Sequence, residues 1–108
     1  MANTLKVTDC KKGFEYQGPR MRRLGDNSGE EFREDYLIPW LESLPSNECG
    51  TVDFEGTKVY MSSFLEESFG GAIRKGYGQK VSALSFINID EDSLKDLKQY
   101  ISNALKSK

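Results

Sequence analysis

The chain has 108 residues, 37% apolar and 30% charged, with a formal net charge of −2 and a sequence pI near 5.2. That length suits one domain, residues 1–108, hiding roughly two thirds of its unfolded surface, and the composition excludes a disordered or membrane-spanning class. The mild acidity argues against nucleic acid as a partner, because phosphate neutralisation needs a basic face. The N-terminal segment lacks a basic run followed by a long apolar stretch, so no signal peptide or membrane partner is expected and the expected address is cytoplasmic. Histidine is absent and only Cys10 and Cys49 occur, so no metal site and no cofactor are expected. The missing histidine also closes the Ser–His and Cys–His routes to an activated nucleophile, which points away from an enzyme.

In chain order, Thr4–Thr8 alternates apolar and polar residues and reads as a first strand. Arg20–Leu24 reads as a short second strand, paired to the first as a hairpin. Ser28 and Glu31 have the S-x-x-E spacing of a capping box. Phe32, Tyr36, Leu37, Trp40, Leu41 and Leu44 then recur at helical spacing, which predicts an amphipathic helix over Gly29–Ser43, kinked at Pro39 and ended by Pro45.

Thr51–Glu55 alternates again, as a strand covered on one side does. Ser63 and Glu66 repeat the capping-box spacing ahead of Leu65, Phe69, Ala72 and Ile73, with Gly76 as the stop. Lys80–Ile89 reads as the best strand. Asp90 caps a last helix with an acidic first turn and a basic end at Lys106 and Lys108, both suited to the helix dipole. Alternating strands and helices predict a mainly parallel α/β sheet.

The motifs that now stand out are Ser28-Gly-Glu-Glu-Phe-Arg33 and Ser63-Phe-Leu-Glu-Glu-Ser-Phe-Gly70, within the strand–turn–helix stretch from Val52 to Gly71. From about Gly18 to Gly76 the chain resembles the compact bacterial STAS-like proteins, related to anti-sigma-factor antagonists. The resemblance implies an open mixed sheet of four to five strands with about three helices mainly on one face. It implies a regulatory, non-enzymatic module whose partner is a protein, in antagonists an ATP-binding serine kinase of the histidine-kinase-like ATPase fold. In antagonists that kinase phosphorylates a serine at the corresponding helix start; the resemblance implies Ser63 as the equivalent position, with Ser62 before it. Antagonists carry Asp-Ser-x-Gly at this turn, whereas here Met61 precedes Ser62 and Phe64 follows Ser63.

Phosphate at a helix start is favoured by the dipole and the free N–H groups. The plainer role of Ser63 is a cap shared with Glu66, and Glu66 and Glu67 would repel a phosphate. Phe64 falls off the apolar stripe and reads as an exposed partner anchor, with Tyr60, Glu66 and Glu67 as neighbouring partner-binding positions. Trp40 and Phe69 read as core. Arg20, Arg22, Arg23 and Arg33, with Ser28 and Gly29, form a candidate anion or partner patch. This patch supports the alternative reading, a small nucleotide- or phosphate-binding protein or enzyme subunit, although its glycines match no phosphate-binding fingerprint.

Overall fold

A Ser at the end of a turn-rich stretch starts the first long helix in the computed structural model, which describes residues 3–45 and 48–107. Ser28 is extended (φ −77°, ψ 160°) and its Oγ accepts the Glu31 N–H at 3.0 Å. Helix α2 then runs over 29–43, the bounds the sequence predicts. It is preceded by strand β1, Thr4–Lys6, a single helical turn α1, Val7–Cys10, and a 3-10 turn, Arg22–Leu24. Strand β2 is Thr51–Asp53, helix α3 covers 62–75, α4 is Gly78–Ser82, β3 is Ser85–Ile87 and α5 is Glu91–Lys106. Asp90 caps α5 through Oδ2 to the Ser93 N–H, as predicted; Lys108 lies outside the described residues.

Among the described residues the sheet has three strands, not four to five, and all are parallel in the order β1-β2-β3. The Arg20–Leu24 strand and its hairpin are absent. Arg22, Arg23 and Leu24 bury no side chain, and the Pro19 and Arg20 carbonyls are turned towards the start of α2. The Lys80–Ile89 strand shrinks to three residues because Gly78–Ser82 is helical, with Val81 pointed into the core.

Leu5, Val52 and Phe86 lie in one register row. Val52 is fully buried, while the flanking Thr51 and Asp53 remain part-exposed. One face of the sheet therefore carries the core. Both crossovers advance one strand in the same direction, so equal handedness puts their helices on that same face.

Helices α2 and α3 each contain a wide π-helical turn, at Arg33–Leu37 and Glu66–Gly70. In α2 the Ile38 N–H bonds the Arg33 carbonyl just before Pro39, whose missing N–H and ring disrupt the ordinary ladder. The distortion beside Pro39 takes the form of a widened turn. The two helices touch at Gly29, where a Cβ would lie 2.7 Å from the Phe64 carbonyl oxygen; no larger residue permits this crossing. Gly76, with φ +106°, ends α3 as predicted, in a conformation that side chains with a Cβ rarely adopt.

The core is aromatic. Phe32 stacks on Phe64 with centroids 5.6 Å apart, Phe14 meets Phe32 edge-on at 5.6 Å, and Phe69 meets Phe86 edge-on at 5.4 Å. Trp40 and Phe69 are core residues, as the sequence indicates.

Candidate functional site

At the start of α2 every early N–H has an acceptor. Gly29 donates to the Pro19 carbonyl at 2.9 Å, Glu30 to the Arg20 carbonyl at 2.9 Å, and Glu31 to Ser28 Oγ. Glu31 does not complete the capping box; its carboxylate instead takes the Lys11 ammonium at 2.7 Å. Ser28 and Gly29 are buried. A helix start with its donors used and its cap enclosed offers an anion nothing, so these two residues do not form the predicted patch.

Three of the four arginines of that patch are engaged as well. Arg20 Nη1 donates to Glu66 at 2.5 Å and to Glu67 at 3.1 Å. Arg33 is 5% exposed and donates to Glu34 at 2.7 Å, to the Glu67 carbonyl at 3.3 Å and to the Glu67 carboxylate. Arg74 donates to Glu66 at 2.7 Å and lies 3.7 Å from Glu67, while Lys75 is 3.6 Å from Glu34. Arg22 pairs with Asp35 at 2.8 Å. Arg23 is exposed and makes no ion pair among the described residues. Hydrogen bonds from Arg74 and then Arg20 hold the Glu66 carboxyl below its ordinary pKa, and Arg33 does the same to Glu34.

The sequence separates an arginine patch from an acidic partner site. The structure joins them into one network linking the loop before α2, α2 itself and α3. Glu66 and Glu67 therefore present no free charge to a partner. Arg74 was missed by the sequence reading; its signal is the seven- and eight-residue spacing from Glu67 and Glu66, two turns along one helix.

The start of α3 is different. Met61, extended at φ −121° and ψ 127°, is the cap residue, and no side chain caps the helix. Ser63 is the second helical residue and Glu66 is turned to Arg20 and Arg74, so the predicted Ser63–Glu66 cap does not form. Among the described residues, the Ser62, Ser63 and Phe64 N–H groups and both hydroxyls have no acceptor. Ser62 is exposed and Ser63 half-buried. Phe64 is not an exposed anchor. It is fully buried against Phe32 and Phe14, because the residue before Leu65 on this widened helix also faces inward. Tyr60 is half-buried, its ring 5.9 Å from Phe54 and its hydroxyl donating to the Asn88 carbonyl at 3.4 Å; burial raises its pKa.

The apolar side chains open at this end are Tyr16, 54% exposed, and Val59 and Met61, each 40% exposed. Tyr16 and Val59 form an isolated parallel bridge, tied by Gln17 N–H to the Val59 carbonyl at 3.1 Å and Val59 N–H to the Glu15 carbonyl at 3.0 Å. Gln17, 4% exposed, accepts the Met61 N–H at 2.9 Å through Oε1. The isolated bridge and the Gln17 side-chain amide therefore hold Tyr16, Val59 and Met61 in the segments that lead to Ser62. The sequence reading missed Tyr16 and Gln17, which lie far from Ser62 in the chain and carry no motif.

Among the described residues no group of three or more His, Cys, Asp or Glu side chains is placed to hold a metal ion. No described helix is long and apolar enough to cross a membrane. No curated protein and no solved structure matches the chain. One family model does match, over residues 28–94, from the cap of α2 through the network and the start of α3 into α5. The match covers well over half of the chain, and the three-stranded parallel α/β fold agrees with it: the chain belongs to the family described as "STAS-like domain of unknown function (DUF4325)".

Proposed function

We propose that this domain is a non-catalytic regulatory module that docks a protein partner through the start of α3. The observation that carries the reading is the combination there of an uncapped helix end, the exposed Ser62 hydroxyl and the solvent-facing Tyr16, Val59 and Met61. Exposed apolar side chains held on a rigid backbone supply contact area at little ordering cost. Ser62 and Ser63 are the positions where a phosphate would change that surface, adding roughly −1.5 to −2 charges at a helix N-terminus. By family resemblance the partner is an ATP-binding serine kinase. The order of preference reverses relative to the sequence, with exposed Ser62 ahead of half-buried Ser63.

The rival reading, nucleotide or phosphate binding at Arg20, Arg22, Arg23, Arg33, Ser28 and Gly29, keeps Arg23 as its one arginine unpaired among the described residues: Arg20, Arg22 and Arg33 are turned to Glu66, Glu67, Asp35 and Glu34, and the first N–H groups of α2 to the Pro19 and Arg20 carbonyls. The test is capture of partners by the tagged chain with Mg-ATP, set against a Tyr16→Asp/Met61→Asp variant. The wild type should retain a kinase-like ATPase that the variant loses, with phosphate on Ser62 or Ser63. Identical captured sets, or no phosphate on either serine, would defeat the reading.

A further inference from the structure

Strand β3 is an edge strand: among the described residues it pairs with β2 alone. The Ser85 N–H bonds the Gly50 carbonyl at 3.0 Å, and the Phe54 N–H bonds the Ile87 carbonyl at 3.0 Å. Residues 85 and 87 thus aim their backbone groups at β2. Strand alternation then turns the Phe86 N–H and C=O outward, where no described residue takes them.

Monomeric proteins guard such an edge with lysine, proline, a bulge or a covering element. Here residues 81–89, Val-Ser-Ala-Leu-Ser-Phe-Ile-Asn-Ile, hold no charge and no proline. Ile87 is 43% exposed, and Phe86 is only part-buried although it faces the core side of the sheet. Charge is distributed unevenly about this edge. The chain just before β3, residues 78–84, carries Lys80, whose ammonium donates to the Leu41 and Leu44 carbonyls, and no carboxylate; the chain leaving it, residues 88–92, carries Asp90, Glu91 and Asp92 and no base.

We propose that two copies of this chain pair β3 with β3 in antiparallel fashion across a two-fold axis, joining their sheets into one of six strands. Centred on Phe86, the pairing is self-complementary. Phe86 of each copy exchanges both backbone hydrogen bonds with Phe86 of the other, and the two rings lie side by side on the core face. Ser85 of one copy sits opposite Ile87 of the other. The same axis sets the basic entry of each strand against the acidic exit of its mate, whereas a parallel arrangement would set like against like. This is the isologous contact expected of a two-fold dimer, and it does not depend on the docking role of α3.

The experiment is sedimentation velocity on the full chain across a dilution series, with Ser85→Lys/Ile87→Lys as the variant. Both side chains are exposed in the monomer, so the variant keeps the fold, which circular dichroism checks, while placing lysine opposite lysine in the pair. The expected result is a wild-type dimer that loosens with added salt, a monomeric variant, and a Phe86 amide whose hydrogen exchange is slow in the first and fast in the second. A wild type that is monomeric at every concentration overturns the proposal and leaves the edge to an extended segment of another protein. A variant that stays dimeric overturns it too, because the interface then lies elsewhere.

Discussion

Replacing Glu67 by Gln should destabilise the domain more than replacing Arg33 by Met, although the two side chains pair with each other. Side-chain exposure is 6% for Arg33 and 13% for Glu67, so this is a buried ion pair, and removing one member of such a pair costs about 3–5 kcal/mol. The cost depends on what remains for the survivor. Without Arg33, Glu67 keeps Arg20 at 3.1 Å and Arg74 at 3.7 Å, which offset part of the loss and place Arg33→Met at about 3 kcal/mol or below. Without the Glu67 carboxylate, the buried guanidinium keeps the Glu34 carboxylate, itself 36% exposed, and the uncharged residue-67 backbone carbonyl at 3.3 Å, and Glu67→Gln falls nearer the upper end, about 4 kcal/mol. The double variant should cost less than the sum of the two by roughly 1–3 kcal/mol. Urea unfolding followed by the fluorescence of Trp40, the one tryptophan and a residue of α2, reads all four proteins. Equal losses below about 1 kcal/mol, or strict additivity, would refute the network as a buried and coupled structure.

Three shorter expectations follow from the same geometry. Phe64→Ala should cost about 3–5 kcal/mol, as a core truncation does, and a loss within about 0.5 kcal/mol in the same assay would return Phe64 to the surface. Because the folded-state pKa values of Glu66 and Glu34 lie below their unfolded values, their stabilisation is present above the ordinary Glu range and is lost as pH falls through the folded values. The urea midpoint should therefore fall on acidification, and Glu66→Gln should flatten that fall; an unchanged pH profile would contradict the assignment. Cys49 is exposed, whereas burial, aided by Asp9, pushes the Cys10 thiol up to about 11, so iodoacetamide should label Cys49 first and Cys10 only on unfolding, as peptide mass spectrometry would show.

Much of this molecule is local and was legible for that reason. The Ser28 cap, the α2 stripe, the Gly76 stop and the Asp90 cap each depend on residues within a turn or two of one another. Non-local contacts hid the rest. Arg20–Leu24 resembles a strand until the Pro19 and Arg20 carbonyls are seen serving α2. Phe64 looks exposed on an ideal helix, but the widened turn at Glu66–Gly70 gives α3 a broader inner face. The same effect in α2 puts the buried Phe32 and Leu37 five residues apart instead of four. Glu66 and Glu67 read as open charges because their partners come from the loop before α2, from α2 and from the far end of α3. Tyr16, Val59 and Met61 meet only through a bridge between distant segments, which residue spacing cannot display.

Strand order follows chain order, and this bears on synthesis. Thr4 pairs with Thr51, so β1 can gain no ladder partner until nearly half the chain has left the ribosome. Once β2 appears, each newly made strand adds to an edge that already exists, and no strand has to insert between two others. Such an arrangement can assemble vectorially, in step with elongation, with α2 and then α3 closing over each pair as it forms.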